Sequence, residues 1–251
     1  MNEYAIWVAA HPWLILLGVP ALGGLAAAAA WQLLIGLPTG RRRTGVFLAM
    51  AGVAGLVFFG LALAVRQEGG LVVFDVALAQ ALSLAMPTAL LWLMSWFTHF
   101  GDRNLLTVLA IAIVLGLLWR RRFILAAGGV AAMAGGGALN WILKHTFERV
   151  RPEHTHGFVE ASGWSFPSGH ASAAMAVYGF SCYLLLRALA PRWRVVCVAG
   201  TAVLIAAIGV SRVLLQVHFL SDVAAGFAVS ALWLAVCVAG TERALRLRAA
   251  R

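Results

Sequence analysis

Apolar residues in this chain come in long runs separated by short polar breaks. The runs cover about 13–37, 45–65, 86–119 (interrupted), 123–143, 169–189, 195–213 and 220–241. A helix needs roughly 20 mostly apolar residues to cross about 30 Å of hydrocarbon. The pattern therefore predicts a bundle of membrane-spanning helices, and no soluble domain, low-complexity linker or internal repeat interrupts it.

Composition agrees. The 251 residues are 63% hydrophobic and 11% charged, and the mean hydropathy is +0.91. That is too apolar for a soluble domain of this size. A net charge of +10 would suggest a nucleic-acid partner in a soluble protein, but the positions of the charges argue against one here. Arg41, Arg42 and Arg43 form one cluster; Arg120, Arg121 and Arg122 a second; Arg187, Arg192 and Arg194 a third; Arg243, Arg246, Arg248 and Arg251 a fourth. Each lies between or after apolar runs, as cytoplasmic loops do under the positive-inside rule.

The same rule sets the topology. With the clusters inside, 45–65 crosses outward, and an odd number of crossings must lie between 66 and 120. The run 104–119 supplies it. The stretch before it carries Asp75, Pro87, Trp92, Trp96, His99 and Asp102, and is expected to lie on or dip into the outer face, as aromatic-rich amphipathic segments do. A further full span there would break the charge parity. The expected fold is an all-α integral membrane protein. It has a six-helix core, an extra N-terminal transmembrane helix and an interfacial helical segment on the outer face. Its parts are 1–44, with the first helix and a basic loop; 45–242, the core; and 243–251, a basic tail. The N-terminus lacks the basic start of a cleaved signal peptide and is expected to be retained. Cys182, Cys197 and Cys237 fall inside apolar runs and read as core residues. Glycine-rich helix faces let membrane helices approach closely, and allow a homodimer without requiring one.

Three outward ends carry most of the unusual polar residues. The first, "LNWILKHTFERVRPEHTHGF", holds Lys144, Arg151 and Pro152. The second, "FPSGHASAAMAVYGF", holds Ser168, Gly169 and His170. The third, "SRVLLQVHFLSD", holds Ser211, Arg212, His218 and Asp222. Ionisable groups near membrane depth are expensive and mark function by default. Lys144, Arg151 and Arg212 suit an anion, arginine by bidentate contact and lysine as a point charge. Arg149 reads instead as an outer-surface charge against lipid headgroups. Ser168 is placed to cap a helix, Gly169 lets backbone approach a ligand, and a helix N-terminus favours phosphate. Alone, "PSGH" could equally be a plain helix start. His218 and Asp222, four apart, share a helical face. The carboxylate can fix the tautomer and leave the other ring nitrogen as nucleophile or base.

Taken together, these stretches resemble the type 2 phosphatidic acid phosphatase superfamily, whose three signatures read K-x6-RP, PSGH and SR-x5-H-x3-D. All three match here in order, over a core of about 45–242. The resemblance implies a metal-independent hydrolase of phosphoric monoesters or diphosphates. It assigns His218 as the nucleophile that forms a phosphohistidine, and Asp222 as its orienting partner. His170 would protonate the leaving oxygen and then activate water. Lys144, Arg151, Arg212, Ser168 and the Gly169 backbone would hold phosphate. No cofactor or metal is implied. The implied partner is a lipid phosphate. Undecaprenyl pyrophosphate is favoured by its frequency in the family, beside phosphatidic acid and phosphatidylglycerol phosphate. The implied location is the bacterial inner membrane, with the site facing the periplasm or outside.

Other readings compete. The same site could pass the phosphoryl group to another lipid. A proton-coupled transporter would also place His, Asp and Arg in helices, but here they gather at one face and no inverted repeat is visible. His154 and His156 with Glu153 and Glu160 could suggest zinc, though the set of ligands is weak.

The topology places Arg122 on the face opposite the motifs. Arg122→Gln is expected to leave phosphate release from a lipid phosphate within about 2-fold of wild type, the usual effect of a remote surface change. Loss of activity in a folded variant would reverse the assigned orientation.

Overall fold

The computed structural model describes residues 3–36, 41–153 and 156–250, with the side chains of 41–43 also outside that set. The arginine cluster at 41–43 and His154 of the zinc reading therefore lie outside the described side chains.

All regular structure among the described residues is helical. Helix α1 (Glu3–Ala10) leads into α2 (Pro12–Gly36) and α3 (Arg41–Arg66). Two short helices follow, α4 (Gly70–Ala85) and α5 (Thr88–Phe97), and then a 3-10 turn at Thr98–Gly101. The remaining helices are α6 (Arg103–Trp119), α7 (Phe123–Phe147), α8 (Gly169–Ala188), α9 (Pro191–Leu214) and α10 (Leu220–Ala249). Among the described residues, seven stretches are long and apolar enough to cross a membrane, one of them the α5–α6 segment Thr88–Trp119. The chain is a multi-pass membrane protein. Its flanks are lined by exposed Leu25, Leu56, Phe59 and Val108, side chains that favour hydrocarbon over water.

The stretch expected at the outer face is broken into pieces. At 1.5 Å per residue, the 16 residues of α4 and the 10 of α5 are each shorter than the roughly 30 Å of a bilayer core. Met86 and Pro87 separate them in extended conformation. Helix α1 packs on α4 through Ala5 and Ala9, and α4 turns its buried Asp75 toward the start of α10.

Two helices run further than their apolar stretches. Helix α7 continues through Lys144 to Phe147, and α10 continues through Arg243, Arg246 and Arg248. Backbone hydrogen bonding does not stop where hydrophobicity does, and basic residues near a helix C-terminus interact favourably with its dipole.

Helix α10 is the central element, touching α3, α7, α8 and α9, while α2 lies along α9. Small residues set these spacings. A Cβ at Gly24 would come within 2.6 Å of Val203 on α9. A Cβ at Gly226 on α10 would meet the carbonyl oxygen of Ser168 at 2.9 Å. Close approach of this kind is what small faces allow in membranes. At the opposite end, Arg187 and Tyr183 on α8 both bond Glu242 on α10. Cys182 and Cys237 are buried and Cys197 is half-buried.

Gly226→Ala has no room to relax without moving the backbone at Ser168. It is expected to cost about 1–3 kcal/mol of overpacking and to reduce phosphate release, whereas Gly200→Ala, with open space around it, serves as a neutral control. Thermal unfolding in detergent together with an activity assay checks both.

Candidate active site

The three motif-bearing segments converge because the helices alternate in direction. Lys144 is near the end of α7, His170 opens α8, Arg212 ends α9, and Asp222 sits in the first turn of α10. All therefore meet at one end of the bundle. His218 reaches the site from the tight α9–α10 turn, where the amides of Val217 and His218 both bond the carbonyl of Arg212, at 3.2 and 3.3 Å. Buried Gln216 takes a left-handed φ of 54° to close that turn, a conformation L residues seldom adopt.

His218 is 3% exposed and Asp222 is fully buried. The His218 Nδ1 lies 3.4 Å from Asp222 Oδ2 and 3.2 Å from Ser165 Oγ. The single hydroxyl proton of Ser165 goes to Asp222 Oδ2, so its oxygen is left to accept from the ring. Both neighbours therefore favour the tautomer with the proton on Nδ1, and Nε2 keeps its lone pair. That nitrogen faces Arg151 Nη1 at 3.0 Å. Burial pushes the His218 imidazole down to about 3, with the bond and charge of Asp222 pulling the other way and Arg151 and Arg212 adding to the fall. The shift favours the neutral ring, in which Nε2 keeps its lone pair.

Two of the three cations, Arg151 and Lys144, are placed by main chain. Arg151 donates from Nε to the carbonyl of Gly163 at 2.9 Å and from Nη1 to that of Val217 at 2.7 Å. Its Nη2 reaches the carbonyls of Ser162 and Trp164, at 3.1 and 3.2 Å. Lys144 donates to the carbonyl of Trp164. Arg212 is 4% exposed and donates from Nη1 to Thr98 Oγ1 at 2.7 Å. Gly169 lies beside Asn140 and Lys144, and Asn140 donates to Ser172 Oγ at 3.0 Å, tying α7 to the start of α8.

One expectation is corrected at Ser168. It occupies the position before α8, but its hydroxyl makes no capping bond. Its amide bonds the Asp222 carbonyl at 2.9 Å, which pins it against α10, and its hydroxyl is buried without a partner. His156 of the zinc reading uses Nε2 on the Leu215 carbonyl at 2.8 Å and Nδ1 on the Phe158 amide at 3.1 Å.

A cavity of about 1010 Å³ joins the cluster to an apolar groove. His170, His218, Lys144, Arg151 and Arg212 line one part. Leu106, Ala110 and Val114 of α6 and Val130, Met133 and Gly137 of α7 line the rest. A charged headgroup and an attached hydrocarbon chain would both find matching surface there.

The profile of the PAP2 superfamily matches residues 125–246. Phosphatidylglycerophosphatase B of Bacillus subtilis (strain 168) is 32% identical over 178 residues, covering 69% of this chain and 86% of its own. The chain belongs to the PAP2 superfamily. Decaprenylphosphoryl-5-phosphoribose phosphatase of Mycobacterium tuberculosis (strain ATCC 25618 / H37Rv) is 36% identical over 138 residues, covering 53% of this chain and 71% of its own. Among solved structures, a transmembrane PAP2 type phosphatidylglycerolphosphate phosphatase from Bacillus subtilis superimposes with a TM-score of 0.69 at 30% identity, over 77% of this chain and 96% of that one.

Within this PAP2 fold, Arg149 is not where the sequence suggested. It is not a headgroup contact but a buried bridge. Its Nη1 bonds Asp222 Oδ1 at 2.7 Å, its Nη2 bonds Asp75 Oδ2 at 2.9 Å, and its guanidinium covers the Phe219 ring at 4.2 Å. Asp75 also accepts from the amide and hydroxyl of Ser221. Burial pushes the Asp75 carboxyl above its usual range, against the pull of Ser221 and Arg149. The two carboxylates share one cation because neither can stay charged and buried alone. The signal in the sequence was Asp75 itself, an acid in the apolar run "LVVFDVALAQAL", which needs a cation from elsewhere. Ser165, two residues before "PSGH", carried no comparable signal.

Asp75→Ala leaves Arg149 with Asp222 as its carboxylate partner and takes the acceptor away from the amide and hydroxyl of Ser221; it is expected to cost about 1–3 kcal/mol. Arg149→Met takes the shared cation from both buried carboxylates and is expected to cost more, about 3–5 kcal/mol. Thermal unfolding in detergent checks both, and an Arg149→Met protein as stable as Asp75→Ala would count against the bridge.

Proposed function

We propose that the chain is a metal-independent phosphatase of membrane lipid phosphates that works through a phosphohistidine, with its site on the outer face of a bacterial inner membrane. One observation carries the reading. Among the described residues, the buried side-chain polar atoms without a partner are Ser168 Oγ and Arg212 Nε, and both belong to this cluster. Each unpaired buried group costs about 1–3 kcal/mol. Arg212 lines the cavity, and a phosphate there brings the acceptor oxygen that its Nε lacks.

His218 Nε2 attacks phosphorus while Asp222 and Ser165 hold the proton on Nδ1. The bond from phosphorus to the bridging oxygen breaks, and His170 gives that oxygen a proton. Water then attacks the phosphohistidine, His170 takes its proton back, and inorganic phosphate leaves with Nε2 restored. Splitting the displacement in this way replaces one hard step with two easier ones. Lys144, Arg151 and Arg212 neutralise charge on the phosphoryl oxygens, a task that metal ions perform in other phosphoryl-transfer sites. The first-turn amides of α8, beginning at Gly169, add a positive dipole end.

The relatives support a lipid phosphate as substrate. Their names give phosphatidylglycerophosphatase B, decaprenylphosphoryl-5-phosphoribose phosphatase and lipid A 1-phosphatase of Rhizobium. The lipid portions differ, so the shared chemistry is the phosphate beside a hydrophobic chain. Undecaprenyl pyrophosphate is the favoured candidate, with phosphatidylglycerol phosphate and phosphatidic acid next. The outward orientation is supported by the described arginines Arg120, Arg121, Arg122, Arg187, Arg192, Arg194, Arg243, Arg246 and Arg248, which lie at the ends of helices opposite the site.

The test is phosphate release by the detergent-purified protein in EDTA, on all three lipids. Release is expected to persist in chelator, to fall at least about 1,000-fold in His218→Ala, since the nucleophile is gone, and to be inhibited by orthovanadate, which resembles pentacoordinate phosphorus. An active His218→Ala protein would remove the phosphohistidine route.

A further inference from the structure

Arg103 has no role in the site described so far. It is the first residue of α6, and it lines the same cavity as His170, Lys144 and Arg212. The segment before it forms the wall beside His170. A Cβ on Gly101 would lie 3.1 Å from the His170 ring, and Thr98 accepts from Arg212 at 2.7 Å. Beyond it, the helix face at intervals of three and four residues continues as Leu106, Thr107, Ala110 and Val114, all of which line the apolar groove. Arg103 is thus the polar end of the groove's own stripe. It stands between the group that meets the leaving oxygen and the surface that suits the chain.

Arg103 is exposed and lines the cavity, so its charge is available to a ligand there. A cation in the first turn opposes the helix dipole, and its charge also opposes that of Lys144. Among the described residues, its guanidinium has no ion pair or side-chain hydrogen bond. The nearby Asp102 is committed to the helix start, accepting from the amides of Asn104 and Leu105 at 2.7 and 3.4 Å. His145, also at the rim, spends Nδ1 on the Trp141 carbonyl. Glu160 is the other carboxylate at the cavity, and it carries no bond to Arg103.

Resting on the reading above, we propose that Arg103 binds a second phosphate, one that links the hydrolysed phosphate to its lipid, so that the preferred substrates are lipids with two phosphates in series. The leaving group departs on the His170 side. In such a lipid, the leaving group begins with, or soon reaches, a second anion, and Arg103 is the cation on that side. A monophosphate lipid such as phosphatidic acid offers Arg103 nothing at that position. The shared chemistry covers a pyrophosphate and a glycerol-spaced phosphodiester.

The test measures kcat/KM of the purified full chain on a prenyl pyrophosphate, on phosphatidylglycerol phosphate and on phosphatidic acid, for wild type, Arg103→Gln and Arg103→Lys. Arg103→Gln is expected to lower the value about 10-fold on two-phosphate lipids, the loss of one charge-assisted hydrogen bond, and to leave phosphatidic acid within about 2-fold. Arg103→Lys should recover part of the loss. A fall confined to the pyrophosphate names the anhydride-linked phosphate as the ligand, and a fall confined to phosphatidylglycerol phosphate names the phosphodiester. Equal falls on all three lipids, or none, would overturn the proposal. A second readout needs no turnover. Inorganic pyrophosphate should protect wild type from thermal unfolding better than inorganic phosphate does, and Arg103→Gln should erase that difference; equal protection of wild type by the two would also overturn it. Wild type that is protected by pyrophosphate but hydrolyses no lipid would instead remove the phosphatase reading and leave the anion site standing.

Discussion

The structure is organised around one buried carboxylate. Asp222 has no exposure, and an unpaired charge there would cost several kcal/mol. It is satisfied from every side: by Arg149 at 2.7 Å, by the Phe219 amide at 2.9 Å, by the Ser165 hydroxyl and by the His218 ring. These donors come from the 148–168 connection and from the turn that opens α10. Arg149 then recruits Asp75 from α4. A single anion thereby draws three separate parts of the chain to one end of the bundle. The orientation of His218, and with it the free nitrogen facing Arg151, is a consequence of how that anion is neutralised.

The membrane explains why such a cluster sits at the end of the bundle and is held by backbone. In hydrocarbon, polar groups must find partners within the protein. The carbonyls of 162–164 and of Val217 serve Arg151, and that of Trp164 serves Lys144. Lower down, helices meet through glycine and alanine, because no apolar driving force distinguishes a neighbouring helix from lipid. The same rule leaves room for the groove between α6 and α7. There Gly137 presents no side chain, and nothing lies within 4 Å of where its Cβ would be.

The spans could be read from the chain because crossing a bilayer demands contiguous apolar residues, a local requirement. Helix ends were less legible. Lys144 and the terminal arginines extend α7 and α10 beyond their apolar stretches, since hydrogen bonding continues into the polar zone. The motif residues stood out because His218, Asp222, Arg212 and Lys144 are costly where they lie. Arg149 did not, since an arginine in a polar connection resembles any surface charge until its partners are known. Those partners lie 73 and 74 positions away. Ser168 was expected to cap α8, but its hydroxyl makes no capping bond while its amide is held by the Asp222 carbonyl across the bundle.

What the sequence determined by itself is the membrane class, the helices that span, and the set of costly ionisable groups that the bundle brings to one end. Each of these depends on composition or on spacing within a few turns. What only the tertiary structure decided is which of those groups are spent on one another and which are left over. Arg149 is consumed by two carboxylates, Ser165 is enlisted to hold the His218 tautomer, and Ser168 Oγ and Arg212 Nε are left without partners. Pairing depends on distances between segments far apart in the chain, and those distances are set by how closely the helices pack.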